Sequence, residues 1–209
     1  MSSKKRKSAG TQVAKIDPVS VAADGSLQIN LQEVAAPKKT YDADFAWPQV
    51  RLGVVSVFFG KCDLNEDRRL RTRLELRYPL ESFVAHFWNN SRTFHAGLRR
   101  SCENLPGWQE RGTIKPETWS ADADHSEWVN FDYVARTGSQ GVLDFFYLSP
   151  QAVVRFKRGQ GTKDLTLQPV VRVNTTTLEI LNLLDSSEAI ANQYEPIHEA
   201  IGSEQVDKG

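Results

Sequence analysis

The chain is short of most residues that carry recognisable chemistry. It has only two cysteines, Cys62 and Cys102, with no C-x-x-C pairing, so a thiolate metal knot and a dithiol redox motif are both excluded. No apolar run approaches the length needed to span a bilayer. The basic start "SSKKRKS" runs into polar sequence rather than an apolar signal segment. These absences lead us to expect a soluble, cytoplasmic protein with reduced thiols and no membrane partner. No G-x-S-x-G elbow is present, and neither cysteine has the surroundings of a catalytic nucleophile. Histidines are few: His86, His95, His125 and His198, with no H-x-x-x-H pair. A metal site needs three or four convergent ligands, so none is expected, nor any other cofactor. No catalytic residue is assigned, and the expected protein is not an enzyme.

Charge is balanced overall but unevenly placed. The first 40 residues hold seven Lys and Arg against three Asp and Glu, which leaves the rest acidic by four. Such a body is a poor general glove for nucleic acid, whose binding needs a basic surface to release counterions. Residues 1–40 are also nearly free of aromatics and read as a disordered basic tail. Within it "SLQINL" alternates at strand period, so residues 27–31 could add themselves to a sheet edge, here or on a partner.

What is present is a repeated grammar. In a first unit, 41–105, "WPQVRLGVVSVFF" reads as a strand, and "KCDLNEDRR" turns the chain. "LRTRLELRY" then alternates Leu70, Leu74, Leu76 and Tyr78 against Arg71, Arg73, Glu75 and Arg77. Pro79 breaks that strand, and Leu80, Val84, Phe87, Phe94, Leu98 and Cys102 return to one helical face. Asn89-Asn90-Ser91 is expected to fray or break this helix midway, and Pro106-Gly107 to end it. Residues 106–126 form a linker bearing Trp108 and Trp119, with Trp128 just beyond it. In the second unit, 127–195, "EWVNFDYVART" and "GVLDFFYLS" read as strands around "GSQG". "VVRFK" reads as a third strand, "GQGTKD" as a turn and "LQPVVRVN" as a fourth strand. The closing helix "TTTLEILNLLDSSEAIANQYE" is capped by Thr175, Thr176 or Thr177 near Glu179. Pro196 ends or kinks it before an acidic tail, 196–209. The fold class is therefore α+β, with two strand-strand-strand-helix units, antiparallel sheets and a pseudo-twofold internal repeat.

Leu143-Asp144-Phe145, Val171-Arg172-Val173 and Tyr194-Glu195 carry a resemblance. Residues 128–195 resemble an uncharacterised bacterial family, domain-of-unknown-function family 3467. The resemblance implies a strand-turn-strand, a strand leading into a Thr-initiated helix, and no activity to transfer. The first unit departs from the family's pattern in its turn and its aromatic-rich helix. In general layout, sheet-plus-helix units of this size are also similar to the secretion chaperones of the SecB type.

Three motifs could carry binding. "GSQG" has the G-x-x-G form that clamps phosphate between helices, but both flanks here read as strands, so it is a hairpin turn using Gly138 and Gly141 for positive φ. "KRGQGTKD" lacks the order of a Walker loop and the helix that must follow one. Trp108, Trp119 and Trp128 are either clips that pin the linker or part of a protein-contact surface. Arg68, Arg69, Arg71, Arg73 and Arg77 are either a solvated sheet face or a track for single-stranded nucleic acid, with Tyr78 or Phe58 stacking a base. The expected function is non-catalytic protein binding or assembly, adaptor or chaperone-like, through sheet edges, helix faces and the aromatic linker, with homo-oligomers among its forms. The alternative is a single-stranded nucleic-acid binder built on the arginines and the basic tail.

Overall fold

The computed structural model describes residues 19–21, 27–29, 34–63, 69–103, 119–120, 122–158 and 166–206. Eleven strands and four α-helices are described, and the protein is α+β. A short hairpin, β1 (Val19–Val21) and β2 (Leu27–Ile29), forms a sheet of its own. The segment expected to add to an edge pairs instead with the chain just before it. Beyond it come β3 (Thr40–Asp42), β4 (Phe45–Arg51), β5 (Val54–Asp63) and β6 (Arg69–Pro79). The run read as one strand from Trp47 to Phe59 is thus a hairpin. Leu52 (φ 50°) and Gly53 (φ 76°) both take positive φ, the requirement of a tight two-residue turn matched to strand twist.

Pro79 ends β6 and the chain enters α1 (Leu80–Ser82), a π-helical turn (Phe83–Trp88) and α2 (Asn89–Cys102). The helix does not break at Asn89-Asn90-Ser91. The irregularity falls one turn earlier, where the wider π turn brings Phe83, Val84, Phe87 and Trp88 all inside. Phe83 and Phe87 stack at 4.9 Å, and Tyr78 meets both edge-on. The second half contains β7 (Trp119–Ser120), β8 (His125–Trp128), β9 (Phe131–Thr137), β10 (Gln140–Tyr147), α3 (Pro150–Lys157), β11 (Gln168–Thr176) and α4 (Thr177–Val206). "VVRFK", expected as a strand, lies in α3. Opening on Pro150, that helix lays Ala152 and Val153 over Phe146, Leu148 and Leu167 to close a small second core. Pro196 does not end α4, whose cap is Thr176: its Oγ1 accepts the Glu179 N–H at 3.1 Å.

The hairpins of the two halves match position by position. A constant offset of 86 residues carries Phe45 to Phe131 and Val54 to Gln140, so hairpin β4–β5 and hairpin β9–β10 share one register. Both central strands bulge at the same place, between Phe59 and Gly60 and between Phe145 and Phe146. The last strands, β6 and β11, lie antiparallel on β5 and β10, and each feeds a long helix.

The units are not separate, however. One sheet runs β4-β5-β6 and the other β9-β10-β11, but each is completed by a strand of the other half. β3 lies parallel on β11 (Thr40 opposite Arg172), and β8 lies parallel on β6 (Trp128 opposite Arg77). The expected antiparallel sheets are therefore mixed. Part of the expected linker, and the end of the expected tail, are the exchanged edges. Even the turnings agree: the Ala43 N–H donates to Asn174, and the Val129 N–H to Arg77. One core serves both halves, with Val57, Phe59, Leu74 and Leu76 beside Leu143, Phe145, Val171 and Val173, under Leu98, Ile180, Leu181 and Leu184. On α4 Leu178 is exposed, whereas Leu183 is buried.

Two glycines sit where close approach, not φ, requires them. A Cβ on Gly60 would collide with the Arg71 backbone carbonyl and the Phe45 ring. A Cβ on Gly141, expected at positive φ, would meet Ile180 of α4 instead; only Gly138 of that turn has positive φ, at 59°. Backbone within a sheet cannot yield as a side-chain terminus can. Gly60→Ala is therefore expected to cost about 3 kcal/mol or more and Gly141→Ala about 1 kcal/mol. Urea unfolding of the two variants checks the order, and equal losses would show that the Arg71 carbonyl is free to shift.

Candidate protein-binding surface

Strand exchange shapes the surface as well as the core. β8 and β9 follow one another with only Val129 and Asn130 between them, so residues 125–137 run as one bent ribbon. Val129 is buried, and Asn130 pins the corner: its Nδ2 donates to Leu148 O at 2.7 Å, and its Oδ1 accepts the Leu148 N–H at 2.8 Å. On the ribbon β8 pairs with β6 alone and β9 with β10 alone, among the described residues. A strand paired on one side offers the N–H and C=O groups of its other side to an incoming chain.

Two large aromatics stand on this ribbon. Trp128 is 48% exposed opposite Arg77, and Tyr133 is 47% exposed opposite Asp144. The equivalent positions of the first half, by the offset of 86, are Asp42 and Trp47, so the halves do not present the same surface. Of the other tryptophans singled out in the sequence, Trp119 opens β7 with its backbone paired to Leu70, and Trp108 lies outside the described residues.

The arginine ladder is largely neutralised. Asp124 accepts from Arg73 at 3.0 Å and from Arg71 at 3.4 Å, and Arg73 foremost holds its carboxyl below the usual range. Arg77 donates to Glu75 at 2.8 Å. Partial burial pushes the Glu75 carboxyl up, but hydrogen bonds from Arg77, Ser56 and Ser126 outweigh it and bring its pKa below the ordinary value. Arg69 opens β6, and Arg68 lies outside the described residues. The rings proposed to stack a base do not face solvent: Tyr78 is in the core and Phe58 is buried. On the other sheet Arg172 holds the buried Asp144 through two 2.7 Å bonds, a two-pronged ion pair.

"GSQG" is the expected turn: β9 ends at Thr137 and β10 starts at Gln140. The Gly138 carbonyl accepts from the Thr177 hydroxyl at 2.8 Å, which ties the turn to α4 and occupies it. "KRGQGTKD" falls mostly outside the described residues.

One group of ligand-type side chains escaped the sequence reading. His95 on α2 lies 2.7 Å from Asp185 on α4, with Glu188 one turn further on. Nothing local marks it, because His95 and Asp185 are 90 residues apart. The only trace is the Asp185–Glu188 spacing of three on a helix. No described helix is long and apolar enough to cross a membrane. No protein-family model matches the chain, and no curated protein or solved structure matches it.

Proposed function

We propose that the protein is a non-catalytic binding and assembly protein, adaptor or chaperone-like, that holds extended segments of other proteins along the ribbon 125–137. The observation that carries this reading is the pairing of Trp128 and Tyr133, both half-exposed, with strand backbone that is open on one side. Main-chain hydrogen bonds at such an edge supply affinity for any extended chain. Exposed Trp and Tyr supply the anchors that dominate protein interfaces. A polyanion is the poorer fit, because Asp124 and Glu75 already occupy Arg71, Arg73 and Arg77.

Fluorescence anisotropy with a labelled, reduced and carboxymethylated protein chain tests the proposal. Replacing Trp128 and Tyr133 together by Ser is expected to weaken binding by at least about tenfold, as two anchors worth roughly 1 kcal/mol each would, and to leave thermal unfolding nearly unchanged. Reversing Arg71 and Arg73 to Glu is expected to leave that binding intact. Tight, salt-sensitive binding of a single-stranded oligonucleotide, lost on the arginine reversal, would replace this reading with the nucleic-acid one.

A further inference from the structure

We propose that His95, Asp185 and Glu188 form a site for a divalent transition-metal ion of the zinc type, which clamps α2 of the first half to α4 of the second. The imidazole Nε2 and one oxygen of each carboxylate all lie within 4.8 Å of one another. Ligands around a tetrahedral ion with metal–ligand bonds of 2.0–2.2 Å stand roughly 3.3 Å apart. Nε2 and the Asp185 oxygen, at 2.7 Å, need part by only about 0.6 Å to admit an ion, and the Glu188 carboxylate, within 4.8 Å of both, must swing inward. Glu188 has the freedom to do so, being 40% exposed at its side chain.

The His95 ring is held for the purpose. Its side chain is 5% exposed, and the Trp88 indole meets it edge-on at 5.4 Å. A hydrogen bond to Asp185 alone would need no second carboxylate, yet Glu188 adds one. Arg99 offsets Glu188 only from 3.9 Å and from solvent. The donor set selects the metal class. An imidazole with two carboxylates and no thiolate suits zinc and its first-row neighbours, whereas magnesium and calcium prefer oxygen alone. Three protein ligands leave at least one position for water.

Zinc chloride alone is the probe, titrated by calorimetry into the full chain and followed by thermal unfolding. One ion per chain and a raised unfolding temperature are expected, with no rise from magnesium chloride. His95→Gln alters a buried side chain and can fail to fold, so Glu188→Gln, at the exposed rim, is the decisive variant. It should keep the metal-free unfolding temperature and bind zinc on the order of 10- to 100-fold more weakly. Arg99→Ala should bind zinc more tightly, since it removes the competing cation. The proposal fails if the wild-type chain takes up no stoichiometric zinc, or if folded Glu188→Gln binds it as the wild type does.

Discussion

Cut once within 104–118, the protein is expected to give two fragments that show no cooperative unfolding alone and recover it when mixed. Each fragment would keep a three-stranded meander and its helix but lose the parallel strand that closes its sheet. Each would also lose half of its core. Phe145 rests against Phe59 at 5.7 Å and Tyr78 at 6.4 Å, and both contacts cross the cut. Every large side chain uncovered costs about 1.5–3 kcal/mol, and the shared core holds more than enough of them to exceed a total stability of about 5–15 kcal/mol. Circular dichroism against urea, on each fragment and on the equimolar mixture, measures the effect. A second fragment that unfolds sharply as a monomer would show that β3 and the first sheet are dispensable to it.

Replacing Asp132 by asparagine is expected to stabilise the protein at pH 8 and to leave it little changed at pH 5. Asp132 stands opposite Phe145 on the core side of β9, and its Oδ1 is buried without a hydrogen-bond partner. Burial raises its pKa from 3.8 to about 7. The sign follows from proton uptake. Between these values the folded state holds a proton that the unfolded state has released, so stability falls as pH rises from about 4 to about 7 and is flat beyond. The full loss is on the order of 4 kcal/mol, and Asn, itself unpaired there, should recover about half above pH 7. His86, stacked at 4.3 Å on the adjacent Phe131, works in the opposite sense. Burial lowers its pKa, so it contributes stability above its ordinary value that is lost as pH falls. The neighbouring Tyr78 hydroxyl is pushed well up by burial and then by Asp132, and stays neutral. Subtracting the variant's unfolding free energy from the wild type's, from pH 4.5 to 8.5, isolates Asp132. A difference that does not change with pH would show that its carboxylate is solvated.

The elements most legible in the sequence were those governed by near neighbours. Alternation of Leu74, Leu76 and Tyr78 with charged residues marks β6 because one face is wet and the other dry. Thr176 before an apolar run marks the start of α4 because a cap acts within one turn. The β4–β5 turn was hidden, since Leu52 is not a turn residue and only Gly53 beside it hints at one. α3 was hidden too: eight residues rich in valine favour a strand by composition, and packing against Phe146 and Leu148 overrides that. Strand exchange leaves no local trace at all, because Thr40 and Arg172 each fit any parallel neighbour. For the surface, the same division holds. The arginines were legible as a face, but the carboxylate that neutralises two of them, Asp124, sits on the far side of a helix in sequence and looked like linker.

The parallel seam between β3 and β11 has a consequence for synthesis on the ribosome. Asp42 and its partner Asn174 are 132 residues apart. At a translation rate of about 5–20 residues per second, the earlier strand waits roughly 7 to 26 s for the later one to be made. The other seam closes sooner, since β8 follows β6 after a much shorter stretch of chain. The nascent protein therefore finishes its two sheets in a fixed order. Throughout that interval the backbone at Thr40–Asp42 lacks the strand it will finally lie beside, and its edge stays open to pairing with another extended segment. Slower decoding before β11 lengthens that exposure, and faster decoding shortens it.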